Sequence, residues 1–181
     1  MAQTVIQGDG FFTYFAQQAV SNKNILWIGL GRPTAWDGGV KPPPDNDTGL
    51  VDPILYQRAD TAVMVRPVTV DDDYDYTWYS ASQTYYFKRV SSSEAIEGND
   101  RWIYISTTFL PGVLSLPEFT YRAVGYFHNL TPTTGHENEI SLLPANVSNV
   151  GNILLLSHED NPVTVGGTHT PKVNIAIQVG G

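Results

Sequence analysis

The chain contains no cysteine among its 181 residues. Without thiols there is no disulfide framework, no thiolate nucleophile and no cysteine-based metal finger. Basic residues are also scarce: ten Lys and Arg against eighteen Asp and Glu leave a formal net charge of −8. A phosphate-binding groove needs clustered cations, and these ten are scattered, so no nucleic-acid partner is expected. An acidic surface does not suit anionic lipid either. No run of about 18 apolar residues occurs, and the start Met1-Ala-Gln-Thr-Val-Ile lacks the basic and apolar regions of a secretion signal, which predicts no membrane contact.

Patterns that carry chemistry are missing as well. There is no Gly-x-Ser-x-Gly elbow, and the serines cluster in polar stretches such as Ser91-Ser92-Ser93. His128, His136, His158 and His169 include no pair at i, i+4, and His136-Glu137-Asn138-Glu139 lacks the second His of a zinc helix. Gly29-Leu30-Gly31 has no third Gly and runs straight into Pro33, so it reads as a flexible turn and not a dinucleotide loop. Asp71, Asp73 and Asp75, with Asp72 between them, offer oxygen ligands for Ca²⁺ but lack the alternate spacing, central Gly and closing Glu of a calcium loop. The expectation is a solvated hairpin tip, with no metal, no cofactor and no enzymatic activity.

Aromatics are what the chain has in quantity: ten Tyr, seven Phe and four Trp, a composition that favours strands. Strand patterns cover residues 25–28, 63–70, 74–90, 101–108, 119–128, 153–156 and 172–179, with Asp71-Asp72-Asp73 joining the second and third as a hairpin. In 119–128, Phe119, Tyr121, Ala123 and Phe127 share a face by period two, while 153–156 is a continuous apolar run suited to a strand covered on both sides. One short helix is predicted over residues 9–22, capped by Asp9, with Phe12, Phe15, Ala16 and Ala19 at helical spacing. Residues 91–100 read as a polar loop and Pro111-Gly112 as a turn. The whole predicts a mainly β, antiparallel, sandwich-like single domain over residues 1–181, with one N-terminal helix.

A Pro-rich stretch over residues 34–52 interrupts this pattern. Each Pro fixes φ and lacks an N–H, so Pro33 and Pro42-Pro43-Pro44 predict an extended, semi-rigid arm that cannot join a sheet interior. Arg32 and Trp36 at its base are residue types that concentrate affinity in interfaces. Arg32, Pro33, Trp36, Pro42, Pro43 and Pro44 are therefore the candidate interface residues, on an arm expected to be mobile in the free protein. The alternative is that Trp36 folds back onto its own domain and Arg32 pairs with a local carboxylate.

The strand at 25–28, followed by Gly31-Arg32-Pro33-Thr34-Ala35-Trp36-Asp37 and a Pro/Asp stretch, resembles the N-terminal part of baseplate wedge subunits of contractile-tailed bacteriophages. The C-terminal third, with Tyr121-Arg122-Ala123-Val124-Gly125 and Pro162-Val163-Thr164, is similar to phage tail proteins more weakly. This resemblance implies a virion structural protein that links baseplate proteins, self-associates within the assembly, and is assembled in the host cytoplasm. A glycan- or receptor-binding module of a phage tail is the alternative, because exposed Tyr and Trp beside acids can stack on sugars.

Overall fold

The computed structural model describes residues 9–43, 49–80, 82–110, 116–167 and 169–180. Pro44, Asp45, Asp47 and the Pro111-Gly112 turn lie outside the described residues. In chain order the elements are helix α1 (Asp9–Ser21), β1 (Leu26–Gly31), β2 (Pro53–Arg58), β3 (Thr61–Val68), β4 (Tyr76–Ser80), β5 (Gln83–Arg89), helix α2 (Ser92–Gly98) and β6 (Trp102–Thr108). There follow β7 (Phe119–His128), β8 (Thr131–Pro132), β9 (Ser141–Leu142), β10 (Val147–Asn149), β11 (Asn152–Val165) and β12 (Lys172–Gln178). The predicted mainly β, antiparallel architecture with an N-terminal helix is what the chain adopts. Two compact units form, one from Met1–Lys23, Thr61–Ile105 and Asn174–Gly181, the other from Asn24–Asp60 and Ser106–Val173.

The second unit carries a sheet of order β11-β7-β1-β2-β9 and a two-stranded ribbon of β8 and β10. A strand in the middle of a sheet covered on both sides needs apolar residues on both faces. That is why β1, Leu-Trp-Ile-Gly-Leu-Gly, is buried along its whole length. In β7 the alternation predicted from sequence gives way for the same reason: Tyr121, Ala123, Val124, Tyr126 and Phe127 are all buried.

The glycines of β1 are not turn residues. Gly29 faces Gly125 across the β1–β7 pair and Tyr56 across β1–β2. A Cβ at Gly29 would stand 2.8 Å from the Leu50 side chain and 2.9 Å from the Tyr56 ring, and one at Gly125 would stand 2.5 Å from the Phe127 ring. Bare backbone at these two positions lets Tyr56 and Phe127 lie flat on the sheet and meet edge to face at 5.4 Å. Trp27, Leu130 and Leu142 complete that buried cluster.

Residues 153–156, predicted to be covered on both sides, belong instead to the edge strand β11, where Leu154 is exposed and Leu156 buried. Its pairing with β7 is broken between Ile153 and Leu155 and again between His158 and Val163. Such irregularities twist an edge and make it a poor template for unwanted strand pairing.

The first unit carries a sheet of order β12-β6-β3-β5-β4. Its hairpin differs from the predicted one: β3 pairs with β5, and β4 lies outside β5, paired to it with Ser80 opposite Gln83. The sheet curls until Asn174 Nδ2 of β12 donates to the Thr77 carbonyl of β4 at 3.3 Å. Val65, Phe87, Tyr104 and Ala176 fill the interior. On α1, Thr13 and Ala16 are buried, and the Arg101 guanidinium stands 5.8 Å from the Phe12 ring.

Residues 91–100 are not a loop. Ser91 and Glu94 form a capping box: the Ser91 hydroxyl accepts from the Glu94 amide, and the Glu94 carboxylate accepts from the Ser91 amide at 2.7 Å. These bonds from Ser91 hold the Glu94 carboxyl below its usual 4.5, just as the Thr69 hydroxyl and amide hold Asp72 below its usual 3.8. Both folded-state values are depressed, so the stability they contribute is complete above the unfolded values and is lost as pH falls through the folded ones. The melting temperature should therefore be level near neutrality and drop below about pH 4. Ser91→Ala should lower it by roughly 2–4 °C at pH 7 and flatten the acid limb, as thermal melts at several pH values will show.

Candidate functional site

Leaving β1, the chain reverses into Arg32, whose φ of 56° is left-handed. The Arg32 amide donates to the Val51 carbonyl at 2.9 Å, closing the base of the loop, while Leu50 packs on the core cluster around Trp27. The side chain then turns along the segment it begins: Nη2 donates to the Ala35 carbonyl at 2.9 Å and to Asp37 Oδ1 at 3.3 Å. Its guanidinium stands 5.3 Å from the centre of the Trp36 ring. The same ring meets the His158 imidazole of β11 at 4.6 Å, tilted by 38°.

Prolines hold the rest through their carbonyls, the only backbone group they can use. Arg122 Nη1 of β7 donates to the Pro33 carbonyl at 2.6 Å. His158 Nδ1 lies 2.8 Å from the Pro42 carbonyl, and Lys41 Nζ donates to the His158 carbonyl at 3.4 Å. Between them Asp37–Gly39 makes one 3-10 turn, with Gly38 and Gly39 at φ 67° and 72°.

The described part of the predicted mobile arm is thus a latch, laid over β7 and β11. Trp36 turns inward and Arg32 pairs with Asp37, so neither projects. The contacts of the Trp36 ring with the Arg32 guanidinium and the His158 imidazole hold this base more firmly than the Asp37 ion pair, whose carboxylate is in open solvent. Arg32 Nε and Trp36 Nε1 are buried without an acceptor. Every described latch residue except Arg32 and Trp36 is exposed: Pro33, Thr34 and Ala35, then Asp37, Gly38 and Gly39, then Val40, Lys41, Pro42 and Pro43. Sequence reading missed Arg122 and His158, which lie 89 and 116 positions from their partners and carry no local signal.

The acidic tip is occupied by its own neighbours. Asp72 accepts from the Thr69 amide and hydroxyl at 2.8 and 2.7 Å, Asp73 pairs with Lys88 at 3.0 Å, and Asp75 accepts from the Arg89 amide at 2.8 Å. No group of three or more His, Asp or Glu among the described residues is placed to hold a metal ion. Several rings of this sheet pack on one another, Trp78 on Tyr85 at 5.5 Å, Tyr76 on Tyr104 at 4.5 Å and Tyr74 beside Tyr86 at 4.8 Å, while Tyr79 is exposed.

What remains is a β-rich chain with a Pro-rich latch built around Trp36. No curated protein matches it. A sequence profile described as baseplate wedge 3 tail fiber network component matches residues 4–179, which spans both compact units and the latch. The chain belongs to the baseplate wedge 3 tail fiber network component family, a structural family of the phage tail baseplate.

Proposed function

We propose that this baseplate component is a non-enzymatic linker, and that the latch of residues 32–43 is the joint through which it holds a neighbouring tail protein. The observation that carries this reading is the division of labour within the latch. Arg32 and Trp36 face inward and fix its shape, whereas the apolar Pro33, Ala35, Val40, Pro42 and Pro43 face outward. An extended segment with its main chain already fixed loses little entropy on docking, and prolines add contact area without amides that need partners. The two donors left without acceptors, Arg32 Nε and Trp36 Nε1, support a segment that can rearrange when the baseplate does.

Trp36→Ala tests this reading. Losing the ring contact with His158 and the cation–π contact with Arg32 should cost about 1–2 kcal/mol, or roughly 2–8 °C in melting temperature, without unfolding the sheets. Incorporation of the variant into baseplates should fall together with that loss of local order. Normal incorporation despite the lowered melting temperature would show that the shape of the latch is irrelevant to assembly.

A further inference from the structure

Both ends of the latch tip are pinned to one residue. The Trp36 ring lies on the His158 imidazole at 4.6 Å, and His158 Nδ1 holds the Pro42 carbonyl at 2.8 Å. Between these pins runs Asp37-Gly38-Gly39-Val40-Lys41. The Asp37 side chain is 99 % exposed, with its carboxylate 3.3 Å from Arg32 Nη2. Gly38 and Gly39 follow at φ 67° and 72°, and a Cβ built on either would meet nothing within 4 Å. The turn is closed by the Gly39 amide donating to the Trp36 carbonyl at 2.9 Å. An exposed turn this short opens locally at little cost, and two glycines leave its backbone free to adopt conformations that a side chain would forbid.

We propose that Asp37 is a site of spontaneous backbone isomerisation in the free chain, and that the change loosens the latch. The Gly38 amide nitrogen attacks Cγ of the Asp37 carboxylic acid. The N–Cγ bond forms, the Cγ–OH bond breaks, and the hydroxyl leaves with the amide proton as water. Attack within one chain, by a residue with no Cβ to obstruct it, has the advantage of proximity. Water then adds to the former main-chain carbonyl of the five-membered imide and breaks its bond to the Gly38 nitrogen. The chain now runs through Cγ, one methylene longer, and the free carboxylate sits on Cα. Because the same imidazole holds Trp36 and Pro42, the longer segment between them cannot be accommodated without moving one of the two pins. The consequence for assembly rests on the linker reading: a free subunit loses the shape of its latch with age, whereas docking covers the turn and stops the change.

The test is warm incubation of the full native chain at mildly acidic pH over weeks, with Asp37→Glu and a synthetic peptide of residues 34–41 in parallel. Tryptic cleavage after Lys23 separates this Asp-Gly pair from the other one, Asp9-Gly10. Electron-transfer fragmentation should find isoaspartate rising at position 37 of the native chain, preceded by a species lighter by one water. Asp37→Glu should show neither, because its longer side chain would have to close a six-membered ring. The nuclear magnetic resonance signals of the His158 ring, assigned by their absence in His158→Gln, are displaced by the Trp36 ring in the fresh chain. They should move most of the way to unstacked positions as isoaspartate accumulates and stay fixed in incubated Asp37→Glu. A native Asp37 that remains intact overturns the proposal, and conversion of the peptide meanwhile would show that the turn holds the amide away from Cγ. An isomerised chain whose His158 signals have not moved overturns the loosening. These readouts do not involve assembly, so their failure leaves the linker reading standing, and normal incorporation of the Trp36 variant leaves this site standing.

Discussion

Replacing Phe127 with Ala should lower the melting temperature by roughly 10 °C, the largest effect expected of any single truncation in the sheet of β1, β2 and β7. Phe127 is 1 % exposed, meets Tyr56 edge to face and covers the bare backbone of Gly125. Removing its ring takes away apolar burial and leaves a cavity, which together commonly cost about 3–5 kcal/mol. The site cannot collapse to fill the space, because Trp27, Tyr56 and Leu142 are themselves fixed in the strands and strand connections around it. Calorimetry or a thermal melt by near-ultraviolet circular dichroism measures the drop. A change of only a degree or two would mean that Phe127 is not at the centre of that core.

The strands that sequence pattern located well are those whose neighbours impose a single local rule. Residues 119–128 coincide with β7, and 172–179 with β12 to within a residue, because continuous β-branched and aromatic runs leave little else to do. Which face each residue takes was not legible, since that depends on whether a strand is central or at an edge. Hence β7 is buried on both faces, and the apolar run at 153–156 ends up on an edge. The capping box of Ser91 and Glu94 is a local signal that could have revealed α2 from sequence. The latch could not be read in the same way. Prolines fix its extended backbone, but the partners that hold it, Arg122 and His158, come from strands far along the chain.

Val40 gives the second large effect, in assembly instead of stability. It is 73 % exposed on the outer side of the latch, in extended backbone just past the Gly38-Gly39 turn. Val40→Asp removes no buried contact, so the isolated protein should melt within about 0.5 kcal/mol of the native one. Burying an aspartate in an apolar contact, by contrast, requires stripping its water, and loss of a central contact of this kind costs 2 kcal/mol or more, about thirtyfold in affinity. The decisive measurement is therefore the amount of Val40→Asp chain found in purified baseplates when it competes with an equal amount of native chain during assembly, with the melting temperatures of both proteins taken alongside. Strong exclusion of a variant that melts normally is the result expected if the outer face of the latch is the joint. Equal incorporation of the two chains would show that the latch only packs against its own sheet and that the linkage lies elsewhere on the molecule.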